Sequence, residues 1–346
     1  MNTNKGMRDA QRNKKDEFYT TREVIDAELL LYKSYFKNKR VYCPCDGPDS
    51  EFVKFFLDNF EELGLWSLTA TCYNPDGRGI YLYTDHAPRR NDLPPVPVTI
   101  YGYHEVKDDI EWKDMEGDGD FRTDPMCQKF FKDSDVIATN PPFSLFREFI
   151  VKIMEEYSNN INSFFILGNM NAILTKDVFK WVANGCIKWG PSIKSGDRPF
   201  RVPEDYDGDG IYEDLDHRKY INVKGVRWFT TTYPDGYCFK DAPRIELTKN
   251  YHKDDYPMFD NLPGIINVDR VEDIPKDYYG LMGVPLTFFD KYNPYQFRII
   301  DGINRYLVLD RLDVNETAKA NNWHLLTVNG KQKYFRIIVQ RVYGKD

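Results

Sequence analysis

The residues with the clearest chemical signature are Asn140-Pro-Pro-Phe143, which come directly after an apolar run. In an open α/β sheet, ligands bind beyond the carboxyl ends of the strands, so a motif at this point is placed for catalysis. Pro141 and Pro142 fix φ and lack N–H donors, which makes a rigid turn whose carbonyls are free to accept hydrogen bonds. The Asn140 side-chain oxygen and the Pro141 carbonyl could accept both hydrogens of an exocyclic amine. Phe143 could stack on the flat base that carries this amine, although an ordinary turn with Phe143 in the core is the structural alternative.

Strands and helices are expected to alternate around this motif. Apolar runs predict strands over Arg40–Pro44, Trp66–Tyr73, Ser134–Thr139 and Ser163–Gly168. Amphipathic spacing predicts helices over Tyr19–Tyr35, Phe52–Phe60, Met126–Lys132 and Leu145–Tyr157. The alternation predicts an α/β fold with a doubly wound, mostly parallel sheet. Residues 85–126 are rich in Pro, Gly and Asp and are expected to form loops around one strand, Val96–Tyr101.

After Trp189 the sequence has shorter apolar runs, which predict loops and shorter strands. The predicted strands include Val223–Thr231, Arg244–Asn250, Gln296–Ile300 and Tyr334–Gln340, with a hairpin at Val328-Asn-Gly330. Three segments are therefore expected: a flexible basic arm over residues 1–15, a main domain over 16–250 and a mainly β module over 251–346.

Composition narrows the class of protein. The chain has 346 residues, 41% of them hydrophobic, which is enough for a sizeable core and unlike a disordered sequence. The 6 cysteines are scattered and match neither a disulfide framework nor a zinc site, so we expect no metal and a reduced, cytoplasmic protein. No apolar run approaches the roughly 20 residues that cross a bilayer, and the N-terminal residues lack the apolar region of a secretory signal.

The formal net charge of -7 is unevenly distributed. Residues 1–15 carry +4 and residues 317–345 carry +6, which leaves -17 on the rest of the chain. Basic ends favour local contact with nucleic-acid phosphates despite the acidic average. The C-terminal cations, interleaved with aromatic residues, are predicted to make this contact, and the alternative is the solvated edge of a β module. They are Lys331, Lys333, Arg336 and Arg341.

Asn140-Pro-Pro-Phe143 resembles the Asp/Asn/Ser-Pro-Pro-aromatic signature of the amino-methylating DNA methyltransferases, which use S-adenosylmethionine. Asp16-Glu-Phe-Tyr-Thr20 is similar to the segment that holds the methionine part of this cofactor in such enzymes. The resemblance implies that Phe18, Tyr19 and Thr20 line the cofactor site.

The loop after the first predicted strand stands where the cofactor loop of these enzymes belongs. The resemblance implies cofactor contacts from Pro44, Asp46 and Ser50, with the following helix N-terminus facing the cofactor carboxylate. This loop has one glycine, Gly47, and so departs from the common D-P-x-x-G-x-G form.

Two further segments resemble parts that hold the adenosine of the cofactor. Tyr73 stands at the end of the second strand, where an acidic residue normally holds the ribose hydroxyls, and either Tyr73 or Asn74 is expected to replace it. Gly117-Asp-Gly-Asp-Phe-Arg122 resembles the element that recognises adenine: Asp120 would accept a hydrogen bond from the adenine amine, and Phe121 would pack on the ring. A solvated acidic turn is the alternative.

Val226–Thr231 resembles the strand whose aromatic side chain supports an extruded base. Because successive side chains of a strand alternate, one of Trp228 and Phe229 is expected to face the site and the other the core. Asp205–Asp216 resembles a calcium loop, but it ends on Asp where the loop normally has Glu, so an acidic surface loop is favoured.

Together with Tyr278–Pro294, these motifs resemble the EcoRI-type adenine-specific DNA methyltransferases over almost the whole chain. The resemblance implies a Rossmann-like fold with a C-terminal target-recognition module. It also implies methyl transfer from S-adenosylmethionine to the N6 amine of a flipped adenine in double-stranded DNA. It allows for a cognate restriction endonuclease that makes no direct contact with the chain. The alternatives are RNA or a protein glutamine as the methyl acceptor, or a catalytically silent DNA-binding protein.

Overall fold

The structure, a computed structural model, describes residues 18–75, 77–85, 111–194, 196–237, 244–302 and 326–342. The chain divides into two units. The first unit holds the residues up to Asn169 together with Gly190–Asp235, and the second holds Met170–Trp189 together with the residues from Gly236 onwards. The predicted boundary near residue 250 falls inside the second unit. The predicted basic arm over residues 1–15 and the predicted strand over 96–101 lie outside the described residues.

The elements have the following bounds. The strands are β1 (Tyr19–Thr20), β2 (Arg40–Cys43), β3 (Ser67–Cys72), β4 (Ile80–Asp85), β5 (Lys113–Asp114), β6 (Val136–Thr139), β7 (Ser163–Asn169), β8 (Lys188–Trp189), β9 (Asp197–Arg201), β10 (Tyr212–Glu213), β11 (Lys219–Lys224), β12 (Val226–Thr230), β13 (Met258–Phe259), β14 (Leu262–Asn267), β15 (Leu281–Val284), β16 (Phe297–Gly302), β17 (Thr327–Val328), β18 (Lys331–Gln332) and β19 (Ile337–Arg341). The α-helices are α1 (Arg22–Leu29), α2 (Lys33–Phe36), α3 (Glu51–Asp58), α4 (Phe60–Leu63), α5 (Pro125–Asp133), α6 (Phe146–Lys152) and α7 (Lys176–Ala183). Short 3₁₀ helices cover Leu30–Tyr32, Met170–Leu174, Lys253–Asp255, Val271–Asp273 and Leu286–Lys291, and a π-helical turn covers Ile153–Tyr157.

The central sheet of the first unit has a parallel core. Its strands follow the order β5-β4-β3-β2-β6-β7-β12, in which β3, β2, β6 and β7 are parallel. Strands β4 and β12 run antiparallel to their neighbours β3 and β7. The prediction of an α/β fold is confirmed. This sheet is mixed: its parallel pairs join β3, β2, β6 and β7, and its pairs with β4 and β12 are antiparallel.

A smaller antiparallel sheet in the first unit has the order β1-β9-β11-β10. Tyr19 and Thr20 pair with Arg201 and Phe200, so these two residues form a strand and not the start of the predicted helix. The predicted helix begins later, at Arg22, and is divided into α1, a 3₁₀ turn and α2.

The second unit contains a sheet of order β13-β14-β15-β19-β16 and the separate hairpin β17–β18. The predicted strand over Arg244–Asn250 is wrong, because these residues form no strand. Ile245 is held instead by the side chain of Gln296, which accepts a hydrogen bond from its N–H at 2.9 Å and donates one to its carbonyl at 2.7 Å. A side-chain amide therefore satisfies the backbone N–H and carbonyl of Ile245, which a neighbouring strand would otherwise pair.

Among the described residues, no helix combines the length and the apolar character needed to span a membrane.

Candidate active site

A cavity of about 260 Å³ lies in the first unit at the carboxyl ends of β2, β3 and β6. Residues from the start of the chain, the loop after β2, the end of β3, the turn before α5 and the turn after β6 meet in its wall. The structure brings every predicted catalytic and cofactor-binding residue to this wall. They are Phe18, Tyr19, Thr20, Pro44, Asp46, Ser50, Tyr73, Asp120, Phe121, Asn140, Pro141, Pro142 and Phe143.

The amide of Asn140 is held in one orientation. Its Nδ2 donates to the Phe18 carbonyl at 2.5 Å, and a carbonyl can only accept, so the amide oxygen must point the other way. That oxygen, Oδ1, is buried and has no hydrogen-bond partner among the described residues. Leaving a buried acceptor unpaired costs about 1–3 kcal/mol, so an unpaired oxygen in a cavity wall indicates a place for a donor from a ligand.

Phe143 combines the two alternatives that the sequence left open. Its ring is 9% exposed and packs against Phe18 and Phe200, with ring centroids 5.4 Å and 5.9 Å apart. It nevertheless lines the cavity. The turn is closed by the Leu145 N–H, which donates to the Pro142 carbonyl at 2.9 Å. The aromatic packing thus fixes the ring beside Asn140.

Asp46 ties the predicted cofactor loop to the strand that carries Asn140. One of its carboxylate oxygens accepts from Ser50 Oγ and the other from Thr139 Oγ1, both at 2.6 Å. Burial raises the pKa of Asp46 to about 6, although the Ser50 and Thr139 donors act in the opposite direction. Ser50 Oγ also accepts from the Phe52 N–H at 3.1 Å and so caps α3. Asp46 and Ser50 therefore lie in the cavity wall, but their side chains hydrogen-bond each other, Thr139 and the backbone of α3. The prediction gave them contacts to the cofactor alone.

The predicted adenosine side is built around an ion pair. Arg122 holds both carboxylate oxygens of Asp120, with its Nε 2.9 Å and 3.0 Å from them. This hydrogen bonding lowers the pKa of Asp120, so the carboxylate stays charged. Phe121 is buried, with its ring 4.9 Å from that of Phe149, whereas Tyr73 is 48% exposed at the rim. The element therefore offers an apolar ring, a carboxylate that Arg122 already holds, and an accessible phenol.

Comparison with known proteins gives the family. The model of the EcoRI adenine-specific methyltransferases matches residues 6–342. The chain belongs to this family. It is 37% identical to the Type II methyltransferase M.EcoRI of Escherichia coli, over 98% of this chain and 97% of that protein. It is 32% identical to the Type II methyltransferase M.MpnI of Mycoplasma pneumoniae, over 96% of this chain and 97% of that protein. A third relative is the Type II methyltransferase M.MgeORF184P of Mycoplasma genitalium, which is 30% identical over 96% of this chain and 97% of that protein.

No solved structure matches the chain significantly. The family and the relatives identify an adenine-specific DNA methyltransferase of the type found in restriction–modification systems. The resemblance to the EcoRI-type enzymes is thereby confirmed.

In this EcoRI-family methyltransferase, the two aromatic residues of β12 are not in the cavity wall. Trp228 and Phe229 are both 0% exposed. Trp228 packs against Phe52 of α3 and Phe229 against Phe146 of α6, with ring centroids 5.7 Å and 4.8 Å apart. The two side chains do point to opposite faces, but a helix covers each face. The expectation that one of them faces the site is therefore corrected.

The C-terminal cations of this methyltransferase also differ in their surroundings. Arg336 and Arg341 are buried, and Arg336 pairs with Asp269 at 2.8 Å. Lys333 pairs with the same carboxylate at 2.9 Å, whereas Lys331 is exposed. The prediction that all four contact nucleic acid is corrected for the two arginines, because their guanidinium groups lie inside the second unit.

The acidic loop Asp205–Asp216 holds its carboxylates in internal contacts. Asp214 accepts from the backbone N–H groups of Asp216 and Arg218, each at 2.9 Å, and Asp216 pairs with the Arg218 side chain. Within the part of the chain that the structure describes, no group of three or more His, Cys, Asp or Glu residues is arranged to hold a metal ion.

Several residues of the cavity wall were not predicted from the sequence. Cys45, Cys72, Gly119 and Arg122 all line it. Gly119 has φ +79°, and a Cβ there would lie 2.7 Å from the Cys72 carbonyl oxygen, so glycine is required where the turn before α5 meets the end of β3. The pair of glycines in Gly117-Asp-Gly119 was the available signal for this close approach.

Proposed function

We propose that the protein transfers a methyl group from S-adenosylmethionine to the N6 amine of an adenine flipped out of double-stranded DNA at a specific sequence. The observation that carries the proposal is the buried, unpaired Oδ1 of Asn140 in the wall of the cavity. Phe18 orients this oxygen, so it can accept a hydrogen from the target amine without a prior rearrangement.

The residues of the cavity suit the cofactor in three places. Thr20 Oγ1 is buried without a hydrogen-bond partner among the described residues, which suits a donor or acceptor on the methionine part. The loop that carries Pro44 and Asp46 leads to the N-terminus of α3, where backbone N–H groups favour an anion such as the methionine carboxylate. Phe121 and Tyr73 offer apolar and phenolic surface to the adenosine. When bound, S-adenosylmethionine supplies the electrophilic methyl group.

Positioning accounts for the catalysis that these residues provide. Asn140 Oδ1 and the Pro141 carbonyl accept the two hydrogens of the target amine, which turns the nitrogen lone pair out of conjugation with the ring. Phe143 presents its ring to the flat base and limits its movement. Fixing the amine in a reactive orientation can contribute several kcal/mol without a covalent enzyme intermediate.

We further infer that the first unit is a Rossmann-like methyltransferase domain. Its order of parallel strands and a ligand cavity at their carboxyl ends support this inference. The second unit, with Lys331 at its surface, is proposed to recognise the DNA target. The +4 arm over residues 1–15, which lies outside the described residues, is proposed to add phosphate contacts.

The function is tested by replacing Asn140 with alanine. DNA from cells that express the wild type is sequenced with detection of modified bases, and we expect N6-methyladenine at one recognition sequence. Asn140→Ala should lower the methylation rate of that DNA by at least about 100-fold, while isothermal titration calorimetry shows cofactor binding close to wild type. Near-normal turnover in Asn140→Ala would overturn the assignment.

The same experiment separates the alternatives. If the wild type binds DNA but no cofactor, the protein is a catalytically silent DNA-binding protein. If it binds the cofactor and methylates RNA or a protein glutamine while DNA stays unmodified, the proposed substrate is wrong.

A further inference from the structure

The hairpin β17–β18 of the second unit has no acidic residue of its own, and the exposed carboxylate of Asp260 lies at its turn. Asn329, Gly330, Lys331 and Gln332 are all exposed. Tyr334, two residues beyond the hairpin, is 59% exposed, and the run from Asn329 to Tyr334 contains no Asp or Glu. The Tyr334 hydroxyl donates to Asn171 Oδ1 at 2.8 Å, so the amide and ammonium groups of Gln332 and Lys331 are the ones suited to a polyanion that also offers hydrogen-bonding edges.

The backbone of this hairpin is held firmly. Asn329 and Gly330 have φ 51° and 71°, the left-handed values of a type I′ turn. The carboxylate of Asp260 accepts hydrogen bonds from both of their N–H groups, at 3.0 Å and 2.9 Å. On the underside, Val328 is buried in a cluster with Phe259 and other apolar residues. Because the loop is already ordered, little conformational entropy would be lost when it binds a partner.

Some of the cations near the hairpin form ion pairs within the second unit, and one, Lys331, is exposed. Lys333 and Arg336 both pair with Asp269, so their charge is used inside the unit. Lys331 makes no ion pair with any of the described residues. Its ammonium therefore remains for a phosphate. The neighbouring Gln332 carries an amide, which can pair with the edge of a base through one donor and one acceptor.

We propose that the hairpin β17–β18 enters a groove of the target DNA, where Gln332 reads a base edge and Lys331 contacts a phosphate. A two-stranded ribbon fits the major groove, where each base pair presents a distinct set of donors and acceptors. Asp260 positions the turn. The proposal rests on the proposed function, since it takes double-stranded DNA as the substrate.

The test compares Gln332→Ala, Lys331→Ala and the control Lys276→Ala, an exposed lysine of the same unit outside the hairpin. Modified bases are mapped in DNA from cells expressing each variant, and DNA affinity of the purified proteins is measured against salt concentration. Gln332→Ala should relax the recognition sequence at one position and lower the cognate kcat/KM by about tenfold. Lys331→Ala should keep the sequence but reduce the slope of log Kd against log salt by about one. Lys276→Ala should behave as wild type.

The outcomes test the base contact, the phosphate contact and the proposed function separately. An unchanged recognition sequence in Gln332→Ala, or an equal loss of activity at every site, overturns the base contact. An unchanged salt slope in Lys331→Ala overturns the phosphate contact. A wild type that leaves DNA unmethylated overturns the proposed function instead. Thermal unfolding of each variant shows whether its fold is intact.

Discussion

The two polar atoms of the Asn140 amide have different surroundings. The nitrogen is engaged by the Phe18 carbonyl, and the oxygen is buried without a partner among the described residues. Asp46 and Asp120 show the opposite situation, since Ser50 and Thr139 bond one carboxylate and Arg122 the other. Polar residues of this cavity therefore fall into two groups: some, such as Asp46 and Asp120, hydrogen-bond other parts of the protein, and others, such as Asn140 and Thr20, have a buried oxygen without a partner among the described residues.

The raised pKa of Asp46 predicts a pH dependence of stability. The pKa is raised to about 6 in the folded protein because the carboxyl is buried. A raised folded pKa favours the protonated folded state, so this contribution is fully present below about pH 4 and is lost as the pH rises through 6. Its full size is about 3 kcal/mol from the shift in pKa. Urea unfolding of wild type and Asp46→Asn between pH 4 and 7.5 measures it.

The difference in the free energy of unfolding between wild type and Asp46→Asn reports on Asp46 alone, because both proteins share all other carboxylates. Wild type should gain stability relative to Asp46→Asn as the pH falls from 7.5 to 4. A difference in the free energy of unfolding that stays constant across this range would show that Asp46 titrates at its ordinary pKa.

At the scale of elements, the central sheet explains why β12 cannot supply a base-stacking residue. Trp228 and Phe229 alternate as strand geometry requires, but α3 lies over one face and α6 over the other. When helices cover both faces of a sheet, the side chains that point to either face are buried. The aromatic side chain that lines the cavity next to Asn140 therefore belongs to a turn at the carboxyl end of a strand, that of Phe143.

The turn before α5 gives a prediction at this scale. Gly119 and Gly210 have similar φ values, +79° and +84°, but only a Cβ at Gly119 would meet backbone, 2.7 Å from the Cys72 carbonyl oxygen. Gly210→Ala should therefore cost only the left-handed strain, about 1 kcal/mol. Gly119→Ala should cost about 3 kcal/mol or more, because backbone must shift, and should weaken cofactor binding.

Thermal unfolding and calorimetric titration with S-adenosylmethionine measure these two effects. Gly210→Ala serves as the matched control for strain. Equal destabilisation by the two substitutions, with equal cofactor affinity, would show that the structure accommodates a Cβ at Gly119 without shifting the backbone of β3.

At the scale of the whole molecule, the charge of the C-terminal segment is less available than its sum suggests. Residues 317–345 carry +6, but Arg336 and Arg341 are buried and Lys333 is paired with Asp269. Arg341 lies over the ring of Tyr279, with its guanidinium carbon 4.7 Å from the ring centroid. Part of this positive charge therefore stabilises the second unit.

Arg336 is predicted to support stability and not DNA binding. Its guanidinium donates to the side chain of Asn267 and the carbonyls of Tyr334 and Phe335, and it pairs with Asp269. Arg336→Met keeps the apolar stem but loses these bonds, so we expect a loss of about 2 kcal/mol. Lys331→Ala should change stability by less than about 0.5 kcal/mol. Urea unfolding measures both, and a stable Arg336→Met with a reduced salt slope for DNA binding would contradict the assignment.

Much of the first unit followed from local patterns in the sequence. The strands β2, β3, β6 and β7 are buried along most of their length and carry mainly apolar or small residues, a pattern typical of strands covered on both faces. Strand β4 is not among the predicted strands, although Ile80–Asp85 begins with the β-forming residues Ile-Tyr-Leu-Tyr; it pairs antiparallel with β3 over its whole length. The segment Arg244–Asn250 forms no strand because its backbone bonds to separate distant groups: the Gln296 side chain bonds Ile245, and the Lys276 N–H donates to the Lys249 carbonyl.

By itself, the sequence determined the chemistry of the site and the order of its parts. The acceptor of Asn140, the rigid prolines and the ring of Phe143 are properties of the residues themselves, and the strand before them is a local pattern. Only the tertiary structure decided which polar groups remain free. Asp46 meets Thr139, and Arg336 meets Asp269, across long separations in the chain. Such pairs depend on how the chain packs, because hydrogen bonds and burial are set by neighbours in space and not by neighbours in sequence.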